Sequence, residues 1–232
     1  MKETIYTIPI NEVFSEKCGC PLCALERRTE TKTLDYIMGA AMMEPDVREK
    51  TNEQGFCRRH YADMLAMNNR LSLALTIESR LAWADAAVDG FVKAPDARKA
   101  AAVGGVGHTC FVCAKMRSEQ ERYYANLVDM WRTEPAFREL FAAQEGFCLP
   151  HWGELMEYAS RALPRRVFPD FARAASEIEK RYLTRMREEI AGFTKSFDYR
   201  YAGQPFEKEA VEHAAGYLSG LRIGEDADRS KK

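Results

Sequence analysis

Cysteine and histidine are the residue types whose spacing in this chain points most clearly to chemistry. Two CxxC pairs are each followed, further along the chain, by a GFCxxH sequence. The eight side chains form two sets of three cysteines and one histidine: Cys20, Cys23, Cys57 and His60, then Cys110, Cys113, Cys148 and His151. Three thiolates and one imidazole complete the tetrahedral coordination of a structural Zn²⁺ ion. The sequence therefore predicts two zinc ions, one bound in each half of the chain.

A site of this kind is structural, because protein side chains fill all four positions and leave none for a substrate. A CxxC pair brings two thiolates together from a short loop or first helical turn, and a CxxH pair places its ligands on one face of a helix. The chain between Cys23 and Cys57 must then fold back, which two helices joined near Pro45 would achieve. Each metal is predicted to clamp such a helical module.

The repetition extends beyond the predicted ligands. A shift of 90 residues carries Cys20 onto Cys110 and Pro45 onto Pro135. After one inserted residue, a shift of 91 carries the first GFCxxH sequence onto the second. Agreement at ligands and at other positions indicates an internal repeat, and a chain of 232 residues accommodates a duplicated unit.

Two alternatives concern the site itself. Cys18 and His108 each stand two residues before a CxxC pair and could replace a ligand, hold a second metal or act as a redox partner. We interpret them as loop residues beside the metal, because four ligands already complete a zinc site. Three cysteines and one histidine can also hold an iron–sulfur cluster. Zinc is favoured because a CxxC pair with a distant Cys and His pair is the commoner structural zinc arrangement.

The motifs of several enzyme classes are missing. A zinc deaminase requires HxE followed by PCxxC, and another class of zinc hydrolase requires HExxH, and neither pattern occurs. A thioredoxin-like CxxC belongs in a βαβ unit, whereas the pairs here have helical surroundings. The sequence predicts no catalytic residue and favours a protein that is not an enzyme.

Composition indicates the compartment and disfavours nucleic-acid binding. The chain carries 34 basic and 35 acidic residues, so it has no overall positive charge for phosphates. No stretch approaches the ~18 apolar residues of a membrane helix. The beginning of the chain lacks the long apolar core of a secretory signal, and the seven cysteines are an odd number. We expect a cytoplasmic protein with reduced thiols and no membrane contact.

The spacing of apolar residues predicts an all-α fold, because no segment alternates as a half-buried strand does. Predicted helices run from Cys23 to near Pro45, from about 56 to 92, from 113 to 131, from 135 to 143, from 147 onward and from about 170 to 197. The second of these has one broad apolar stripe, which contains Met64, Met67, Leu71, Ala74, Leu75, Leu81 and Val88.

These elements predict a domain organisation. Residues 1–93 form a first metal-binding helical module, and residues 108–166 form a second. Residues 94–107 are predicted to be a linker, since a proline ends one helix and several glycines follow. Residues 167–223 form a C-terminal helical region packed on the modules, and residues 224–232 form a disordered, charged tail.

Aromatic side chains are concentrated toward the C-terminus, at Phe193, Phe197, Tyr199, Tyr201 and Phe206. Asp198 and Arg200 lie among them. The favoured interpretation is a loop that packs on the body of the protein and is fixed by a salt bridge between these two residues. The alternative is a partner-binding surface, because Tyr, Phe and Arg are enriched at the centres of interfaces.

Several motifs together resemble one known family. They are the segment Ile8–Phe14, the two CxxC and GFCxxH pairs, and the segment Phe197–Arg200. The family is an uncharacterised bacterial one, a domain of unknown function, and the resemblance covers most of the chain. It implies the doubled metal-site architecture and assigns no reaction.

We therefore expect a zinc-binding cytoplasmic protein that acts by binding or regulation, with rigid helical modules that present a surface to a protein partner. The sequence identifies neither that partner nor the oligomeric state. A second hypothesis is a zinc–thiolate redox sensor, in which oxidation of the thiolates releases metal and Cys18 serves as the resolving thiol. A third is a metalloenzyme, which requires an open coordination position.

Overall fold

The computed structural model describes residues 4–16, 19–105 and 109–220. In these ranges the chain forms α-helices and two short 3₁₀ turns, and no β-strand, which confirms the predicted all-α class. The helices are α1 (Thr7–Ser15), α2 (Pro21–Met38), α3 (Pro45–Gln54), α4 (Arg58–Ala66), α5 (Arg70–Lys93), α6 (Ala97–Gly105), α7 (Phe111–Thr133), α8 (Pro135–Ala142), α9 (Leu149–Ala162), α10 (Phe168–Lys195) and α11 (Ala210–Ser219). No described helix is both long enough and apolar enough to cross a membrane.

Proline fixes where several of these helices begin. Pro45 and Pro135 occupy the first turn of α3 and α8, and each follows a glutamate in extended conformation. Proline suits this position because its fixed φ matches the helix and its missing N–H would have no partner within the helix. The repeated Glu-Pro dipeptide therefore starts the equivalent helix in both halves of the sequence.

The predicted helix over 56–92 is two helices. Its first part is α4, and α5 begins after Asn69, whose side chain accepts a hydrogen bond from the backbone N–H of Ser72 at 3.2 Å. An asparagine cap satisfies one of the free N–H groups at the start of a helix. The predicted apolar stripe divides as well, because Met64 of α4 is buried whereas Leu71 and Leu81 of α5 are exposed.

Packing divides the chain into two compact units, and neither follows one half of the sequence. The first unit contains residues up to Glu26 and from Gln120 onward, and the second contains Arg27–Glu119. The boundaries predicted at 93, 107 and 166 remain predictions. The predicted linker holds helix α6, and the predicted tail lies outside the described residues.

Phenylalanine side chains dominate the core of the first unit. The rings of Phe14 and Phe137 lie 5.2 Å apart, and those of Phe141 and Phe147 lie 5.6 Å apart. The larger buried members of this core are Ile10, Phe14, Leu22, Leu25, Leu127, Phe137, Phe141, Phe147, Leu155, Phe171 and Ile178. Since Phe147 belongs to the second GFCxxH sequence, the core anchors the backbone directly before Cys148.

The second unit has a smaller core that anchors the other GFCxxH sequence. Its buried members include Leu34, Ile37, Met38, Phe56, Met64, Leu73, Val112 and Met116. Phe56 packs edge-on against Tyr61 with ring centres 5.5 Å apart. Backbone contacts add to this anchor, because the Phe111 N–H donates to the Gly55 carbonyl at 2.9 Å. The loop before Cys57 is thereby joined to the start of α7.

Candidate metal centres

The eight predicted ligands gather into two clusters. The first cluster lies in the first unit and consists of Cys20, Cys23, Cys148 and His151. The second cluster lies in the second unit and consists of Cys57, His60, Cys110 and Cys113. Within each cluster the four ligand atoms lie within 4.8 Å of one another. Both clusters therefore have the Cys₃His composition that the sequence predicted.

The predicted pairing of the motifs is wrong. Each CxxC pair meets the CxxH pair from the other half of the sequence. Helix lengths give a physical reason, because α2, with 18 residues, is about 27 Å long and Cys23 lies in its first turn. Helix α3 has 10 residues and returns only about 15 Å. The second half behaves in the same way, with 23 residues in α7 and 8 in α8.

Each cluster forms where two helices begin. Cys57 and Cys148 are the N-cap residues of α4 and α9, and Cys20 and Cys110 directly precede α2 and α7. The free N–H groups and the positive end of the dipole favour negative charge at a helix start. Burial outweighs this effect at Cys20 and raises the pKa of its thiol well above the usual range.

Distances in the first cluster fit a single tetrahedral ion. The Nδ1 atom of His151 lies 3.2 Å from the sulfur of Cys23, 3.1 Å from that of Cys148 and 3.8 Å from that of Cys20. The sulfurs of Cys23 and Cys148 are 3.5 Å apart. Bonds of about 2.3 Å to sulfur and about 2.0 Å to nitrogen give a tetrahedron with edges of about 3.5 to 3.8 Å.

The second cluster has the same geometry. The Nδ1 atom of His60 lies 3.2 Å from the sulfurs of Cys57 and Cys110 and 3.5 Å from that of Cys113. The sulfurs of Cys57 and Cys113 are 3.9 Å apart. Both histidines thus present Nδ1 to the sulfurs, and these distances lie within about 0.3 Å of the same tetrahedral edges. The residues of both clusters fit one zinc-sized ion.

The negative charge of the thiolates in each cluster also favours a bound cation. Burial opposes ionisation of Cys110, but the hydrogen bond and charge of His60, together with backbone hydrogen bonds at Cys113 and Cys57, outweigh it and lower the pKa of Cys110 to about 6. Burial and then the charge of Cys110 raise the pKa of Cys113 to about 12. Without a positive ion the sulfurs of one cluster therefore do not all ionise together near neutral pH. A metal ion supplies the charge that makes three neighbouring thiolates stable.

The histidines hold protons that a metal would displace. Burial alone would lower the pKa of His60, but its hydrogen bonds with Cys110 and Glu30 outweigh burial and raise that pKa to about 10. In the first cluster burial again opposes protonation, and contacts with Cys148 and Cys23 raise the pKa of His151 to about 10. Because a ligand imidazole must be neutral on the bonding nitrogen, metal binding and proton release are coupled.

Carboxylates approach the outer nitrogen of both histidines, and the sequence analysis did not identify them. The Nε2 atom of His60 lies 3.0 Å from Oε1 of buried Glu30, which also pairs with Arg59 at 2.8 Å. The Nε2 atom of His151 lies 3.9 Å from Glu26, which is too long for a hydrogen bond. A carboxylate at Nε2 fixes the tautomer that presents Nδ1 to a metal. Glutamate on a helix carries no sequence signal that would reveal this role.

The two glycines of the GFCxxH sequences serve different purposes. Gly55 has a φ of +62°, in the region that side chains other than glycine rarely adopt. Gly146 has no such φ, but a Cβ atom there would overlap the ring of Tyr182 on α10. The first loop therefore needs glycine for its backbone conformation, and the second needs it for close approach of a neighbouring side chain.

The remaining candidate residues belong to two groups. Cys18 and His108 lie outside the described residues. Asp198 and Arg200 form the expected salt bridge, with Nη2 2.6 Å from Oδ2. Phe197 and Tyr199 are 80% and 87% exposed, although the Phe197 ring meets that of Phe193 on α10 with centres 5.4 Å apart. The segment therefore packs on the protein only in part.

Comparison with known proteins identifies one family. A sequence profile matches residues 1–223, and its description is "Family of unknown function (DUF6062)". This match agrees with the resemblance seen in the motifs. No curated protein and no solved structure matches the chain.

Replacing Gly146 with alanine should destabilise the first unit, because the new methyl group meets the Tyr182 ring. We expect a loss of about 1 to 3 kcal/mol in the free energy of unfolding of the metal-loaded protein, measured by urea denaturation. In a Tyr182→Ala background the same substitution should cost much less. Gly153→Ala is the matched control, since no atom outside its own helix lies near that position. An equal loss at Gly146 in both backgrounds would contradict the steric explanation.

Removing the carboxylate of Glu30 should weaken metal binding at the second cluster. We expect Glu30→Ala to lower the zinc affinity of that cluster by about 10-fold to 100-fold, and Glu30→Gln to have a smaller effect because it keeps an acceptor. The affinity is measured by titration with a chelator, as the chelator concentration at which Cys57 becomes accessible to alkylation. Glu26→Ala is the control for the first cluster, where the 3.9 Å separation predicts little change at Cys148. Equal losses in both clusters would show that the hydrogen bond at His60 is not the cause.

Proposed function

Because the chain belongs to the family of unknown function DUF6062, whose description assigns no activity, we propose a function from the geometry of its two clusters. The protein binds two zinc ions, one in each cluster, and these ions are structural. It acts as a binding or regulatory protein with a protein partner, and it is not an enzyme.

One observation carries the zinc assignment. In each cluster three sulfur atoms and one imidazole nitrogen lie within 4.8 Å of one another, as the ligands of one tetrahedral ion do. Because the chain itself supplies four ligands, a bound ion has no open position at which a substrate could coordinate. The arrangement therefore favours a structural role over catalysis.

The same distances favour a single ion over an iron–sulfur cluster. A cluster places at least two irons and their bridging sulfides between its ligands, so ligands of different irons are separated by the cluster core. Some ligand atoms around a cluster must consequently lie farther apart than those around one ion. The sulfur-to-nitrogen separations of 3.1 to 3.8 Å in the first cluster leave room for one ion only.

A bound ion would hold together parts of the chain that are distant in sequence. The first cluster joins Cys23 to His151, which are 128 residues apart, and the second joins Cys57 to Cys113, which are 56 apart. Structural zinc contributes about 10 to 16 kcal/mol in small modules, which is comparable to the net stability of a whole domain, about 5 to 15 kcal/mol. We therefore expect the surfaces next to each cluster to keep their shape only while metal is bound.

The proposal is tested by metal analysis of the purified protein under anaerobic conditions. We expect about two zinc ions per chain and no visible absorption, as the two closed sites require. Removal of metal with a chelator should lower helicity and the thermal midpoint, and readdition of zinc should restore both. Visible absorption with acid-labile sulfide and no zinc would overturn the assignment.

The exchanged pairing makes a sharper prediction about single cysteines. Cys23→Ser should release the ion of the first cluster, so that Cys148 becomes alkylated while Cys57 stays protected. Cys113→Ser is the matched variant, and it should expose Cys57 and leave Cys148 protected. Mass spectrometry of the peptides identifies which of Cys57 and Cys148 is alkylated in each variant. Elemental analysis should show about one zinc per chain in both variants. Exposure of Cys57 by Cys23→Ser would instead support pairing within each half.

A further inference from the structure

Helix α5 carries a regular row of side chains along one face. The row advances by three and four residues in alternation, which is the spacing of the core positions of a coiled coil. Its members are Leu71, Ala74, Glu78, Leu81, Asp85, Val88 and Val92, and we call this row the seam. All seven residues are exposed.

The seam is separate from the face that holds α5 in place. Helix α5 packs into the second unit through Leu73, Thr76 and Arg80, which are buried on a different side of the helix. The apolar members of the seam are strongly exposed: Leu71 to 69%, Leu81 to 63% and Val92 to 67%. Single apolar residues on a surface are ordinary, but five apolar residues among the seven of one exposed row are typical of an interaction site.

Charge distinguishes this seam from a simple apolar strip. Glu78 and Asp85 occupy two of its seven positions, and no seam position is basic. Asp89, directly beside the row, adds further negative charge. Carboxylates at core positions are costly against an apolar helix, and they are stabilised when a lysine or arginine of the partner faces them.

We propose that the seam docks an amphipathic helix of a partner protein. That helix presents apolar residues to Leu71, Leu81, Val88 and Val92 and basic residues to Glu78 and Asp85. The inference rests on the proposed binding role and names the chemistry of the partner. It does not depend on the metal, since α5 contains no cysteine or histidine.

The same charges argue against a second copy of this chain as the occupant. In a parallel pair of α5 helices, Glu78 would face Glu78 and Asp85 would face Asp85, and like charges repel. The seam alternates between two sets of core positions, and Glu78 and Asp85 both belong to the set that excludes Ala74, Leu81 and Val88. In an antiparallel pair each set faces the other set of the second copy, so both carboxylates would face Ala74, Leu81 or Val88. Neither arrangement gives the carboxylates a cation. A basic helix from another protein provides one at both positions.

The test uses two synthetic helical peptides as probes. Both have leucine or valine opposite the apolar seam positions, and they differ only at two sites, which are lysine in one peptide and glutamate in the other. Binding to the full-length, zinc-loaded protein is measured by fluorescence anisotropy. We expect the lysine peptide to bind at least about tenfold more tightly than the glutamate peptide, and its affinity to fall with added salt.

Charge reversal provides the decisive comparison. The double variant with Glu78→Lys and Asp85→Lys should reverse the preference, so that the glutamate peptide binds more tightly. A matched variant with Glu121→Lys and Glu139→Lys has the same change in net charge at exposed positions of the other unit, and it should keep the original preference. Leu81→Asp should abolish binding of the lysine peptide. Helicity and zinc content should be unchanged in every variant, because the altered side chains are exposed.

Three results would overturn the inference. The first is the absence of a difference between the peptides with the wild-type protein, and the second is the same preference after charge reversal. The third is a concentration-dependent dimer in sedimentation that Leu81→Asp abolishes, which would identify the seam as an interface between copies. Zinc content separates this failure from failure of the proposed metal sites. Two bound zinc ions without peptide binding would refute the docking surface alone.

Discussion

Three sulfur atoms held around one imidazole are the constraint on which the rest of this structure depends. Burial and repulsion between neighbouring thiolates oppose ionisation of all three sulfurs unless a positive ion is bound, and both effects raise the pKa of Cys113. The fold brings these sulfurs together at the starts of helices, where negative charge is favoured. The buried phenylalanine and the glycine before each CxxH pair keep its cysteine in place.

The ligands could be predicted from the sequence because their identity is a local property. A CxxC or CxxH pair converges on an ion through the geometry of one helical turn, so its role follows from spacing alone. The choice of partner pair is not local. It depends on where α2, the short turn Ala40–Met43 and α3 carry the chain, and this is decided by tertiary packing. The unequal lengths of the two helices are the one feature of the exchange that a sequence can indicate.

Residue spacing in the sequence does not predict several other features, for a related reason. Periodicity shows that a helix has an apolar face but does not show what that face meets, so buried Met64 and exposed Leu81 looked alike in the predicted stripe. Gly55 and Gly146 occupy equivalent positions for different reasons, one conformational and one steric. Glu30 gains its role only from its distance to His60. Each of these facts arises from tertiary packing.

The exchange also determines how the chain can acquire its clusters. The first half of the sequence supplies two ligands to each cluster and completes neither, so a fragment of one half lacks both closed sites. During synthesis the second cluster has all its ligands once Cys113 has emerged, because its members span residues 57 to 113. The first cluster must wait for His151 and close a loop of more than twice that length. Because contacts between distant residues form slowly, the second cluster is the natural place for folding to begin.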